Sequence, residues 1–341
     1  MKTRLALVSS MLLSLAIAAS ALAQTEPDVQ YPVHFDISPP LRNLIVSNVP
    51  PSGPTALAPM PIPRTATARV IDPVVQSTPG SASNTTPGIN FDGVGSPNTC
   101  NCAPPDTNMA VGPNHLVQWV NTSYAVYDKS GTIFSGYPKA GNSIWAGFGT
   151  GECNNNSGDI IAQYDRAADR WLLTQLSLGN ANYQCVAVST TNDPTGTYAR
   201  YSYSFGSDLN DYPKFTVWPV AFTGAPQGAY FASYNIFALG AFFSGPRPCA
   251  YDRQAMLAGN ASATQVCFQQ GSNVGSLLPT DLDGANLPPA GEPNFYFDYG
   301  TNQLLMYKFT PNFANTSQSS FTGPTAINVD AFNPLSVSVP Q

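Results

Sequence analysis

Residues 159–178, DIIAQYDRAADRWLLTQLSL, decide the fold class. Two apolar runs, IIAQY and RWLLTQL, flank the turn-forming DRAAD, which reads as a hairpin of two β-strands. The second run is apolar on both of its alternating sides, so its strand needs cover on both faces. An acidic residue, Asp159, introduces the pair. Working outward, the same opening recurs at Asp106 in PPDTNMAVGPNHLVQWVN, at Asp211 in NDYPKFTVWPVAFTGAPQGAYFASYN and at Glu292 in GEPNFYFDYGTNQLLMYKFT. The steps between these openings are 53, 52 and 81 residues, the last lengthened by an insertion.

A period near 50 with several strands per copy is the pattern of radial repetition, so the expected fold is all-β and the expected architecture a β-propeller. Four blades are visible, and the fourth fades into FNPLSVSVPQ, which is expected of a small propeller or of a piece of a larger one. Strands are expected at HLVQWVN, SYAVYDK and TIFSGY, then DIIAQYD, RWLLTQLS, QCVAVSTT and YARYSYSF. They continue with KFTVWPV, AYFASYNI, PCAYDR and ATQVCFQQ, then NFYFDYG, QLLMYKFT and a weaker SSFTGPTAINV. The copies also match at YAVYDK, CVAVST and CAYDR. QAMLAG is the only helical candidate.

Residues 1–23 read as a secretory signal peptide: Lys2 and Arg4, an apolar stretch, then Ala21-Leu22-Ala23. No other apolar run is long enough to span a membrane. The expected location is secreted or periplasmic. Removing the leader leaves 12 basic against 20 acidic residues, a net charge of −8, which excludes the electrostatic footprint of a nucleic-acid binder. Residues 24–97 are Pro-, Ser- and Thr-rich and are expected to be extended or disordered, with HFDI and TARVI able to add a strand to the edge of the following domain. The propeller-like domain covers 98–330, and 331–341 forms a C-terminal tail.

Six cysteines in an exported chain point to disulfides. Cys249 and Cys267 fall on strands expected to be neighbours and are the best pair. The partners of Cys100, Cys102, Cys153 and Cys185 are left open. One residue between Cys100 and Cys102 is too few for a zinc knuckle, so no metal site is expected there.

The chemistry candidates are Asp106, Asp159, Asp211 and Glu292. Each precedes an innermost strand and should point towards a common axis. Converging carboxylates there could act as acid and base in glycoside hydrolysis. They could equally accept backbone N–H groups and fix turns between blades. Calcium on these oxygens is a third reading, without any contiguous loop motif; no other cofactor is expected. His115 is the only imidazole outside the Pro-rich segment and reads as a turn residue. No nucleophile elbow, P-loop or dinucleotide fingerprint is present.

The stretch Thr191-Asn192-Asp193-Pro194-Thr195-Gly196-Thr197-Tyr198, and more loosely Tyr127-Asp128-Lys129-Ser130-Gly131-Thr132, resembles a degenerate Asp-box of the sialidase-type propellers. In that resemblance the motif implies a blade turn, away from any active centre. The arginine cluster and Tyr–Glu pair of true sialidases are not met; only Glu26, Glu152 and Glu292 supply glutamate. As a set, PPDTNMAVGPNHLVQWVN, QYDRAADRWLLTQ, CVAVSTTNDPTGTY, NDYPKFTVWP, CAYDRQAMLAG and PPAGEPNFYF resembles a group of exported bacterial proteins of unassigned function. That resemblance spans most of residues 100–325 and implies a β-propeller-like domain. The group's members run further than this chain, which implies an incomplete propeller. Taken together, the expected function is a binding or scaffolding module for carbohydrate or a surface component, with a glycosidase as the alternative.

Overall fold

Alternating side chains that are apolar on both sides of a strand force sheets to stack, and this chain does so four times. The computed structural model describes residues 26–44, 78, 88–95, 105–282 and 284–332. The leader, the TARVI stretch, Cys100, Cys102 and most of the C-terminal tail lie outside the described residues.

The described chain enters through two short strands, β1 (Asp28–Gln30) and β2 (His34–Ile37), and a 3-10 turn at Leu41–Asn43. The first sheet follows: β3 (Thr107–Val111), β4 (His115–Val120), β5 (Ser123–Asp128) and β6 (Lys139–Ala140). The second comprises β7 (Ile161–Asp165), β8 (Arg170–Ser177), β9 (Asn182–Ser189) and β10 (Tyr198–Gly206), with β2 as its fifth, edge strand. The third comprises β11 (Leu209–Trp218), β12 (Ala229–Ala238), β13 (Phe242–Asp252) and β14 (Gln265–Cys267), edged by β1. The helix α1 (Arg253–Leu257) sits between β13 and β14, at the expected QAMLAG. The fourth comprises β15 (Leu278–Pro279), β16 (Asn294–Gly300), β17 (Gln303–Thr310) and β18 (Ser320–Asn328). Among the described residues the fold is all-β, all strand pairings are antiparallel, and none of the sheets closes on itself. YAVYDK, CVAVST and CAYDR lie on the third strands of their sheets, β5, β9 and β13.

The alternation on β8 shows how the stack is held. Trp171 and Leu173 join a core shared with Val117, Trp119 and Val126 of the first sheet, while Leu172 joins Phe215, Tyr230 and Tyr234 of the third. On β12, Tyr230, Ala232 and Tyr234 face back to the second sheet, and Phe231 faces forward to Tyr296 and Phe309 of the fourth. Each middle sheet is thus buried on both faces.

Polar side chains staple the adjoining first strands. Asn108 of β3 accepts from Ala162 N (2.8 Å), and Gln163 of β7 donates to Phe215 O (2.6 Å). Asp281, just after β15, accepts from Val217 N of β11 (2.8 Å). A buried ion pair ties the second sheet to the third: Arg253 donates Nε (2.6 Å) and Nη2 (2.8 Å) to Asp165, which also accepts from Tyr230 OH (2.9 Å). Bidentate geometry and the added hydroxyl offset the desolvation of both charges.

Part of the Pro-rich segment is structured. Residues 28–44 run as a belt across the outer edges of three sheets, in reverse chain order. β1 pairs with β14, and Asp28 bonds Arg247. β2, the HFDI stretch, pairs with β10, where the buried Arg200 binds Asp36 through both guanidinium arms (2.8 and 2.6 Å). The turn at Leu41–Asn43 then presents carbonyls to Lys139 of β6, at 2.5 Å from Leu41 O and 3.2 Å from Leu44 O.

Cys249 and Cys267 face each other across β13 and β14 and form a disulfide, the pair expected from their placement on neighbouring strands. Cys153 bonds Cys185, joining the loop that follows the first sheet to β9. The two disulfides among the described residues fit an oxidising compartment. No helix among the described residues is long and apolar enough to cross a membrane.

Candidate functional site

The openings of the first three sheets share one backbone device. Asp106, Asp159 and Tyr212 occupy the left-handed region, with φ of 43°, 46° and 54°. They recur at a constant step of 53 residues, so the backbone equivalent of the first two aspartates is Tyr212 and not Asp211. Aspartate enters this region at small cost, whereas a tyrosine there stores strain of about 1–3 kcal/mol. One hydrogen bond holds it, from Tyr212 N to Asp159 Oδ2 (3.0 Å), at a point where the register of β11 against β12 breaks between Asp211 and Lys214. The break turns the Tyr212 ring outwards, 49% exposed, and Lys214 Nζ sits 3.5 Å over its centroid.

Asp106, Asp159 and Asp211 thereby come within electrostatic reach of one ammonium, that of Lys214. Burial first, then the charge of Asp159, pushes Asp106 up to about 6 from the ordinary aspartate value of 3.8, against a smaller pull from Lys214. Burial and Asp159 likewise raise Asp211 to about 6, with a lesser push from Asp106. Asp159 is raised by its burial, opposed by the Tyr212 N–H and by Lys214. Burial pulls Lys214 below the usual lysine value while all three aspartates pull it back up. Lys214 forms a direct ion pair within 4.0 Å with none of them. Asp106 does accept a bond from Asn121 Nδ2 (3.3 Å). The group therefore offers carboxylate oxygens to hydroxyl or N–H donors, and two of its members change protonation near pH 6.

Glu292 does not join them. Its carbonyl accepts from the indole of Trp218 (3.2 Å), at the far end of β11 from Asp211. The fourth sheet in fact opens with β15, whose approach lies where Asn235, the cross-strand partner of Asp211, donates to Ser276 Oγ (2.9 Å). NFYFDYG is the second strand of that sheet, antiparallel to the first, and so Glu292 is carried to the opposite end. A two-residue strand has no alternation to read, which is why the sequence misplaces this opening.

A cavity of about 890 Å³ opens where β3, β7 and β11 end. Asp106, Asp159, Asp211 and Glu292 all lie outside its lining. Among the described residues, no group of three or more His, Cys, Asp or Glu is placed to hold a metal ion. His115 packs its ring against Phe134 (5.2 Å between centroids), and burial holds its pKa below the usual imidazole value.

The two Asp-box-like stretches form turns held from within. Asp193 accepts from Thr195 N (2.8 Å) and Oγ1 (2.7 Å), while Asp128 accepts from Ser130 N (2.8 Å) and Thr132 N (2.9 Å). Sequence reasoning missed Lys214 and Tyr212, although both stand in the quoted NDYPKF; the adjoining Pro213 marks a break in strand regularity that could have drawn notice. No protein-family profile, curated protein or solved structure matches the chain.

Proposed function

We propose that the four sheets are the blades of a β-propeller, secreted or periplasmic, that binds a carbohydrate through the acidic cluster at one mouth of its first strands. The reading is supported by the serial stacking of the sheets and the adjacency of their first strands. The observation that carries it is the convergence of Asp106, Asp159 and Asp211 round Lys214, beside the half-exposed ring of Tyr212. Carboxylates accept bonds from sugar hydroxyls, and an exposed tyrosine face stacks on the apolar face of a pyranose. Glycan-array screening of the full chain, followed by calorimetry, tests this. Retention of a defined glycan, weakened about tenfold or more by Asp106→Asn or Asp211→Asn, is expected. An array with no retained glycan, or variants that bind as the wild type does, would overturn it.

Glycoside hydrolysis is the second reading, favoured by one observation: two coupled carboxyls that each titrate near 6, so that at mildly acidic pH one can be protonated while the other is ionised. Against it stands the absence of all three aspartates from the lining of the cavity. Reducing-sugar release from a polysaccharide panel between pH 5 and 6, abolished by Asp211→Asn, would establish hydrolysis; binding without release would leave the lectin-like reading alone.

A further inference from the structure

The cavity at the far ends of β3, β7 and β11 is walled by segments of the first three sheets and by the loop after β15. Its volume, about 890 Å³, lies within the range of small-molecule sites. Three apolar side chains of its wall stand in water: Met109 at 56% exposure, Val111 at 52% and Leu287 at 50%. Val217 and Leu282 add further aliphatic surface.

The polar residues of the wall are mostly turned to other work. Asn108 Oδ1 and Asp281 Oδ1 accept from backbone N–H groups of neighbouring strands, and Arg166 already interacts with the protein. Gln163 donates its amide N–H to Phe215 O, while its Oε1 is buried without a partner. A buried acceptor left unpaired is an unfavourable state that a donor can relieve. Wall and floor together thus offer aliphatic surface to an apolar body and one unpaired acceptor to a hydrogen-bond donor.

We infer that this cavity is a second binding site, taking a small, neutral, largely apolar molecule that carries a single N–H or O–H donor. Its apolar body covers Met109, Val111 and Leu287, and its donor meets Gln163 once the carboxamide turns towards the cavity. The inference is independent of the acidic cluster, whose carboxylates lie outside the lining of this cavity.

N-phenyl-1-naphthylamine is a fitting probe: neutral, apolar, with one N–H, and brighter when it leaves water. Titration into the full chain is expected to give saturable, single-site enhancement. Val111→Asp and Leu287→Asp should each weaken binding at least tenfold, because each places a charge in the wall. Leu304→Asp, on the exposed outer face of the fourth sheet, should leave it unchanged. The N-methylated probe, which lacks the donor, should bind several-fold more weakly. If an aspartate variant fails to fold, Val111→Ser and Leu287→Ser carry the same test with a smaller loss. The inference is overturned by a wild-type titration that does not saturate, by Val111 variants that bind as before, by loss of signal in Leu304→Asp, or by equal affinity for the two probes.

Discussion

The second and third sheets and their flanking partners, the first and fourth, grow from the same hairpins but are secured differently. Each middle sheet has a fifth strand from the belt, an Arg–Asp pair on that strand and neighbours on both faces. The buried Asp165–Arg253 pair runs between these two sheets. On the fourth sheet, by contrast, Leu278, Tyr299, Leu304 and Ile327 are exposed on one face, and β18 is open along most of its length. Stability is therefore expected to concentrate in the middle pair, and binding surface to lie at the ends of strands where sheets adjoin.

Removing the shared ion pair should break this contrast most severely. Asp165→Ala leaves Arg253 buried with its charge uncompensated, and a loss of about 3–5 kcal/mol in urea denaturation is expected. A loss below about 1 kcal/mol would show that the two sheets do not depend on it. Next in size is the Cys249–Cys267 bond, whose sequence separation of 18 residues corresponds to about 3 kcal/mol of loop-closure entropy. The double alanine variant should fall by roughly that amount in the same assay; an unchanged midpoint would place the restraint elsewhere.

The junction between third and fourth sheets should prove weaker. Tyr296 donates its hydroxyl to Ala232 O (2.9 Å) and Cys249 O (3.2 Å), both on the third sheet. Tyr296→Phe should cost about 1–1.5 kcal/mol and raise amide exchange in β16 and β17 before it does so in β8 or β9. Uniform acceleration across all sheets would count against separate anchoring of the flank.

The smallest effect is expected from pH, and it sharpens the boundary at which the first three sheets meet. Asp106 and Asp211 have folded-state values raised to about 6 from 3.8, so the native state holds these protons more tightly than the unfolded chain. Their contribution is most favourable below the unfolded value, declines as pH rises from about 4 to about 6, and is flat above. Acidification from pH 7 to pH 5 should therefore raise the melting temperature by ~1–3 °C, less so in Asp211→Asn. A wild-type melting temperature that falls over this interval would contradict the coupling.

Much of this was legible in the sequence where strands are long. RWLLTQLS and AYFASYNI show their double burial in the alternation alone, and the placement of Cys249 and Cys267 on neighbouring strands identifies their pairing. Legibility fails where backbone and composition part company. β15 spans two residues and has no period, so the fourth opening is misread and Glu292 is assigned to the wrong end. The acidic motif at Asp211 conceals that Tyr212 holds the equivalent backbone position, because a left-handed φ leaves no compositional trace at a tyrosine. The belt is obscured for the opposite reason: two strands of three and four residues, embedded in Pro-rich text, depend on partners far along the chain.

That last feature bears on how the protein comes to be made. Asp28 finds its ion-pair partner 219 residues later, at Arg247, and Asp36 waits 164 residues for Arg200. A ribosome releases the belt first, yet its seats on β14 and β10 do not exist until most of the polypeptide has been threaded out. The belt thus waits for strands made long after it, and its full seating reports that the second and third sheets have been completed.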